Sequence, residues 1–313
     1  MKLITFTFGG ITRIGALVNE RVIDLHGAFK EKLKREGKLR AEQIANAYIP
    51  EDMNGFLQGG KESLALAKDA IDHALTNEST VQVVFDKSEV KIEAPVPAPG
   101  KIICVGHNYR EHILEMKREL PPFPVVFAKF ANTVVGPEDP IPFHPISEQL
   151  DYEAELAFVV GKRARNVSEA DALNYVAGYT IVNDVTYRDL QRRTLQWLQG
   201  KAVDGSAPMG PWLITSDELS DPCGLDIVLT VNGEERQRSN TANLVFSVPY
   251  LVEFLSGLMT LEPGDVILTG TPGGVGVARD PQVFLKDGDI VRIEVEQVGV
   301  LENQVNKTVL VTV

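Results

Sequence analysis

Three prolines in alternation, within Ala94-Pro95-Val96-Pro97-Ala98-Pro99-Gly100, split the chain of 313 residues into two stretches of different texture. Proline fixes φ and pushes the residue before it out of the helical region, so this segment must be extended and stiff. Upstream of it, strand-like alternation at Leu3-Phe8 and Gly15-Asn19 gives way to charged helical stretches, Phe29-Glu36 and Glu62-Leu75. That pattern predicts a small N-terminal α/β domain over residues 1–95. Downstream, strand signals dominate: Ile102-Val105, Val125-Lys129, Tyr152-Val160, Ala177-Asn183, Asp226-Val231 and Asp289-Val295. Asn232-Gly233 between two such runs signals a two-residue hairpin. Helical intervals are few: Asn108-Arg118, a stretch opened by Ser168-Glu169-Ala170-Asp171, Thr186-Gln196 and Val248-Leu258. With no regular helix after each strand, residues 96–313 are expected to form a mixed β domain, making the chain α+β rather than a doubly wound sheet.

Charge narrows the partners. Acidic residues outnumber basic ones 43 to 31, a net charge of −12, and no basic stripe carries interleaved aromatics. Such a field repels phosphate backbones, so no nucleic acid is expected. It also repels a small anionic substrate, which would need local cations or a metal ion. Two cysteines, Cys104 and Cys223, stand far apart in no ligand spacing and read as buried thiols of a reducing cytosol. The opening MKLITFTFGG reads as neither a signal peptide nor a membrane span, so the expectation is a cytoplasmic protein without membrane contact.

In Asp151-Tyr152-Glu153-Ala154-Glu155-Leu156-Ala157, residues two apart share a strand face, so Glu153 and Glu155 project together. An isolated Glu-x-Glu is most often a wet strand face. Here the same face turns apolar at Ala157 and Val159, which puts the acids at the mouth of a core. Two carboxylates about 4 Å apart repel by roughly 4 kcal/mol at an effective dielectric near 20, a cost that a cation between them removes. A second strand-like run, Gly178-Asn183, ends in Asp184, where a third carboxylate could join; the competing reading of Asp184 is a helix N-cap. Oxygen-only ligands point to Mg²⁺ or Mn²⁺ and leave positions open for substrate.

His112 and Glu115 are spaced to share one helix face, a pairing that orients an imidazole as a general base, although a surface His–Glu pair has the same spacing. His107, after Gly106, has no partner fixed by spacing. Leu120-Pro121-Pro122-Phe123-Pro124 ends the helix and would let it act as a lid. Gly270-Thr271-Pro272-Gly273-Gly274-Val275-Gly276 lacks the Lys-Ser/Thr of a phosphate loop and leads into no helix, but its glycines would let backbone approach a ligand, with Thr271 adding a hydroxyl. Arg188 and Gln191 are three apart, and Lys201 follows Gly200; each alone is an ordinary surface residue.

Together these motifs resemble the fumarylacetoacetate hydrolase superfamily. The matching residues are Gly106-x-Asn108-Tyr109 with His112 and Glu115, Gln149 to Leu156, Asn183 to Gln191, Gly200-Lys201-x-x-Asp204 with Pro208 to Trp212, and Thr269 to Gly276. Five motifs in register cover roughly residues 100 to 305, and the N-terminal part is similar to the small extra domain of longer bacterial members. The resemblance implies a mixed β-roll catalytic domain, a homodimer, and Mg²⁺ or Mn²⁺ on Glu153, Glu155 and Asp184. It makes His112, supported by Glu115, the base on a lid, and has Arg188, Gln191, Lys201 and Thr271 contact the substrate oxygens; Lys201 is also a catalytic candidate, and His107 and Tyr109 are further substrate-binding candidates. Gly205-Ser206 departs from the Thr-Phe of many members and is expected to enlarge the pocket.

The implied substrate is a small dicarboxylate or 2-oxo acid. The expected reaction is C–C bond cleavage through a metal-stabilised enolate, either hydrolysis of an acylpyruvate-type β-diketo acid or decarboxylation of oxaloacetate. In the hydrolytic version Lys201, Arg188 and Gln191 form the oxyanion site. Isomerisation of a hydroxydienedioate, which needs only proton shuttling by the same base, is the alternative. A binding protein that kept the scaffold without turnover is the alternative of another class, and retention of the base and all three acids speaks against it.

Overall fold

A computed structural model describes residues 1–77 and 82–308. The long sheet at its centre holds the site, and Ala154–Val160 and Val176–Asn183, both expected from the sequence, are interior strands of it. Ala154–Val160 pairs antiparallel with Val176–Asn183 on one side and with Val266–Leu268 on the other. Val266–Leu268 runs parallel to Ile102–Gly106, and Val125–Lys129 closes that side of the sheet. In the other direction Val176–Asn183 pairs with Ala207–Thr215, which pairs in turn with the N-terminal strand Lys2–Phe8. A sheet of twelve strands therefore continues across the proline segment, with the hairpin strands Ile11–Val18 and Arg21–Asp24 beyond Lys2–Phe8.

Ala154–Val160 is buried at every position, which requires apolar cover on both faces. One face, with Leu156, Phe158, Tyr179 and Ile181, packs on a five-stranded sheet through Ile227, Leu229, Ile293 and Leu301, and on helix Val248–Leu258. The opposite face, with Ala157, Val159, Leu213 and Leu268, is covered by N-terminal helices through Phe29, Ala45, Phe56 and Ala70. The result is an α+β fold of helices, long sheet and second sheet in three layers. Residues 95 and 96 divide two compositions, while one core serves both sides of that point.

Local chemistry accounts for the element ends. Asp24 caps Leu25–Arg35 by accepting from Gly27 N at 2.8 Å, and Ser247 caps Val248–Leu258. Asn232 and Gly233 have φ of 52° and 79°, the left-handed pair that a tight hairpin between Asp226–Val231 and Glu234–Asn240 requires.

Three expectations are corrected. The interval Thr186-Gln196 is helical only over Arg188–Gln191, because Thr186–Tyr187 pairs with Leu150–Asp151 as a short strand. Asn108-Arg118 shrinks to Arg110–Glu115, since Asn108 is committed to Phe246, donating to its carbonyl and accepting from its N–H. Cys223 is exposed in the turn before Asp226 and only Cys104 is buried.

Candidate active site

The strand register assembles the acidic trio. Ala154 pairs with Asn183, so the residues just beyond that pair, Glu153 and Asp184, lie side by side, and Asp184 N donates to Glu153 O at 2.9 Å. Glu155 lies two residues along from Glu153. One carboxylate oxygen from each of Glu153, Glu155 and Asp184 lies within 4.8 Å of the others, and all three side chains are buried. Asp184 caps no helix, because Thr186–Tyr187 intervenes.

Three cations surround the trio. Lys201 Nζ donates to Glu153 Oε2 at 2.8 Å and to Asp184 Oδ2 at 2.6 Å. Arg188 bridges Asp151, through Nε at 2.7 Å, and Glu153, through Nη1 at 2.7 Å. Lys129 Nζ lies 2.9 Å from Asp184 Oδ1 as an ion pair without hydrogen-bond alignment and donates instead to Val185 O at 3.2 Å. Glu155 has no cation of its own among the described residues; its Oε2 accepts from Gly270 N at 2.6 Å.

The protonation tendencies follow. Burial pushes the Glu153 carboxyl up, but Lys201 and Arg188 outweigh it and hold it at about 2. For Glu155 burial acts in concert with the charges of Asp184 and Glu153, and its carboxyl is pushed well above the usual range. Burial also lowers Lys129, against the pull of Asp184, while Lys201 stays above its usual value because Asp184 and Glu153 exceed the cost of burial.

A divalent ion fits this set. The donors are all oxygens, and among the described residues Glu155 lacks a compensating cation and Asp184 Oδ1 is buried without a hydrogen-bond donor. Glu153, Glu155 and Asp184 can therefore hold a hard metal ion.

A cleft of about 610 Å³ opens over Glu153 and Glu155, within the usual size for a small-molecule site. His107, His112, Glu153, Glu155, Arg188, Gln191, Lys201 and Thr271 line it, together with Trp197. His112 Nδ1 lies 2.7 Å from Glu115 Oε1, and Glu115 Oε2 accepts from Gly274 N at 2.8 Å, so Glu115 stands behind the histidine and ties it to the glycine-rich loop. Arg188 Nη1 donates to Gln191 Oε1 at 3.1 Å. The His107 ring packs against His112 and edge-on to Trp197; burial, then Arg118 and His112, hold it neutral with a pKa of about 4.

Tyr109 is placed otherwise than expected: its ring is buried in the core cluster and does not line the cleft. Gly205 and Ser206 also sit away from the cleft wall, Gly205 against Pro142 and Ser206 donating to Lys201 O at 3.3 Å, so they do not enlarge the pocket. Gly274 and Gly276 of the 270–276 loop make room for protein backbone rather than for a ligand. A Cβ on Gly274 would lie 2.1 Å from Arg236 O, and one on Gly276 would lie 1.9 Å from Val283 O.

Lys129 and Asp151 were not among the sequence candidates. Asp151 accepts from Gly276 N and Val277 N at 2.8 and 3.0 Å as well as from Arg188, fixing loop and guanidinium together.

Residues 101–306 match the family model of the fumarylacetoacetate hydrolase C-terminal domain. The chain belongs to the fumarylacetoacetate hydrolase family and is an enzyme of that family. A mitochondrial oxaloacetate tautomerase of Xenopus laevis is 46% identical over 265 residues, which are 83% of this chain and 81% of the relative. Among solved structures, fumarylacetoacetate hydrolase from psychrophilic Exiguobacterium antarcticum has a TM-score of 0.79 at 35% identity, covering 98% of this chain and all of its own. Maleylpyruvate hydrolase from Sphingobium sp. SYK-6, in complex with manganese(II) ion and pyruvate, has a TM-score of 0.75 at 29% identity over 99% of this chain and 100% of its own. Among the described residues no helix is long and apolar enough to cross a membrane.

Proposed function

We propose that the protein interconverts the keto and enol forms of oxaloacetate, using Mg²⁺ or Mn²⁺ held by Glu153, Glu155 and Asp184. The observation that carries this reading is an oriented base, His112 on Glu115, lining the same cleft as Glu153 and Glu155 of the carboxylate trio. Keto–enol exchange needs one proton moved from carbon to oxygen and no positioned water or leaving-group acid. The 46% identity to a tautomerase of that substrate supports the same choice. It moves proton transfer ahead of the C–C cleavage that the sequence alone favoured.

A bound ion supplies Lewis-acid charge that makes the C–H beside a 2-oxo group more acidic. With Nδ1–H donating to Glu115, His112 keeps Nε2 as the basic nitrogen and takes the C3 proton. The C–H electron pair becomes the C2–C3 π bond, the carbonyl π pair moves onto O2, and return of the proton from His112 to O2 completes the enol and restores the free base. Lys201 places positive charge beside the reacting oxygen, whose negative charge grows in the transition state. Arg188 Nη2, buried with no partner among the described residues, and Gln191 are donors for a substrate carboxylate. A homodimer is the proposed working species, in which exposed apolar side chains such as Leu114, Phe123 and Phe130 would be available for cover.

The test is enol decay followed by absorbance in Mg²⁺ buffer, with pyruvate release measured in parallel. Accelerated decay without pyruvate is expected. Cleavage is the second reading, favoured by the likeness to maleylpyruvate hydrolase; pyruvate released from acylpyruvates or oxaloacetate, with enol decay unaccelerated, would establish it in place of tautomerisation.

A further inference from the structure

The chemistry above makes no use of a buried polar side chain that lies behind the site. Gln237 sits on the strand Glu234–Asn240 of the five-stranded sheet and is 1% exposed, between exposed Glu235 and Arg238. Its amide reaches the site from behind. Oε1 accepts from Ala154 N at 2.9 Å, and Nε2 donates to Pro272 O and Thr271 Oγ1, both at 2.8 Å. Ala154 lies between Glu153 and Glu155, and Thr271 lines the cleft, so one side chain touches the acidic strand and the substrate wall together.

The amide orientation follows from its partners. Ala154 N–H can only donate and the Pro272 carbonyl can only accept, so the flipped amide would set donor against donor and acceptor against acceptor. Nε2 therefore faces Thr271, and Thr271 Oγ1 is the acceptor in that bond. The hydroxyl proton is then directed elsewhere, and Thr271 Oγ1 makes no other hydrogen bond among the described residues.

We propose that Gln237 is a positioning residue that holds the Thr271 hydroxyl as a donor toward the cleft, so that this wall selects an anionic oxygen of the substrate. The inference rests on the reading of the cleft as a 2-oxo dicarboxylate site. A hydroxyl free to rotate would meet donors and acceptors alike, whereas one pinned by Nε2 favours a carboxylate or enolate oxygen.

The experiment is a double-mutant cycle on the full chain in Mg²⁺, reading KM and kcat for oxaloacetate and the dissociation constant of oxalate by calorimetry. Gln237→Glu keeps the acceptor for Ala154 N but turns the group facing Thr271 into an acceptor, which draws the hydroxyl proton away from the cleft. KM and the oxalate constant are expected to rise at least about tenfold, equivalent to 1.4 kcal/mol, with kcat little changed. Thr271→Val should match that rise, Thr271→Ser should stay near wild type, and adding Gln237→Glu to Thr271→Val should cost nothing further. Gln237→Met, which removes donor and acceptor without adding charge, carries the same cycle if the Glu variant does not fold. Multiplying effects in the double variant, or a loss of kcat alone, would overturn the inference. Wild-type protein that binds oxalate without tautomerising oxaloacetate would sink the functional reading and leave Gln237 to be decided by the oxalate constants. Wild-type protein that binds no oxalate would sink both.

Discussion

Lys129 Nζ lies 2.9 Å from Asp184 Oδ1, with both side chains wholly shielded from solvent. Their strands lie on different parts of the long sheet, so the pair joins its edge strand to the acidic trio. Among the described residues, Lys129→Met leaves Asp184 with Lys201 as its one remaining cation. Breaking a buried pair in this way typically costs about 3–5 kcal/mol. The loss is expected in full without a divalent ion and should shrink in Mg²⁺, because bound metal replaces the missing positive charge and adds binding energy to the folded state. Thermal melts of both proteins with and without Mg²⁺ read this difference; equal losses in the two buffers would refute the shared electrostatic role.

The two kinds of site residue differ in how visible they are in a sequence. Glu153, Glu155 and Asp184 are legible because strand periodicity alone puts the first two on one face and a strand end delivers the third. Lys129 is not, because a lysine at a strand end reads as surface. Its one signal is that it interrupts the apolar run Val125-Val126-Phe127-Ala128-Lys129-Phe130. Asp151 and Gln237 act on the N–H groups of Gly276, Val277 and Ala154, and backbone partners leave no mark in residue types. The helix expected over Thr186-Gln196 failed for a related reason. Its first two residues were claimed by pairing with Leu150–Asp151, a long-range contact that local propensity does not contain.

His112→Ala should lower kcat for enolisation by roughly 10²- to 10⁴-fold, the usual contribution of a general base, while Mn²⁺ affinity stays close to wild type. Glu115→Gln should cost less but still be measurable. Glu115 uses both oxygens as acceptors, from His112 and from Gly274 N, and an amide keeps only one of them. Steady-state kinetics beside a metal titration separate the two roles. Intact turnover in His112→Ala would remove the base assignment while leaving the metal site untouched.

Removing residues 1–95 should give an insoluble or aggregating protein. Lys2–Phe8 covers the edge of Ala207–Thr215, with Leu3 opposite Leu213, and the N-terminal helices cover Ala157, Val159 and Leu268. The truncated chain would present an unpaired strand and an apolar sheet face to water. Light scattering and soluble yield test this, and a monodisperse fragment with native circular dichroism would show that the long sheet closes without its N-terminal cover.

Glu155 gives the site a pH dependence whose sign can be worked out. Burial, then Asp184 and Glu153, push its carboxyl well above the usual range when no metal is bound. The folded metal-free protein therefore holds a proton at Glu155 that the unfolded chain, with a carboxylate near its ordinary value, releases at lower pH. Between those two values the folded state binds more protons, so metal-free stability falls as pH rises through the window. Metal binding needs the carboxylate, so affinity for Mn²⁺ should rise over the same window and each ion bound should displace up to one proton. Glu155→Gln removes the ionising group, so its metal-free stability should lose this downward slope with pH and its Mn²⁺ affinity should collapse. Denaturant melts across pH, with calorimetry in buffers of different ionisation enthalpy, measure both effects. A Glu155→Gln protein that keeps the slope would place the titration on another group.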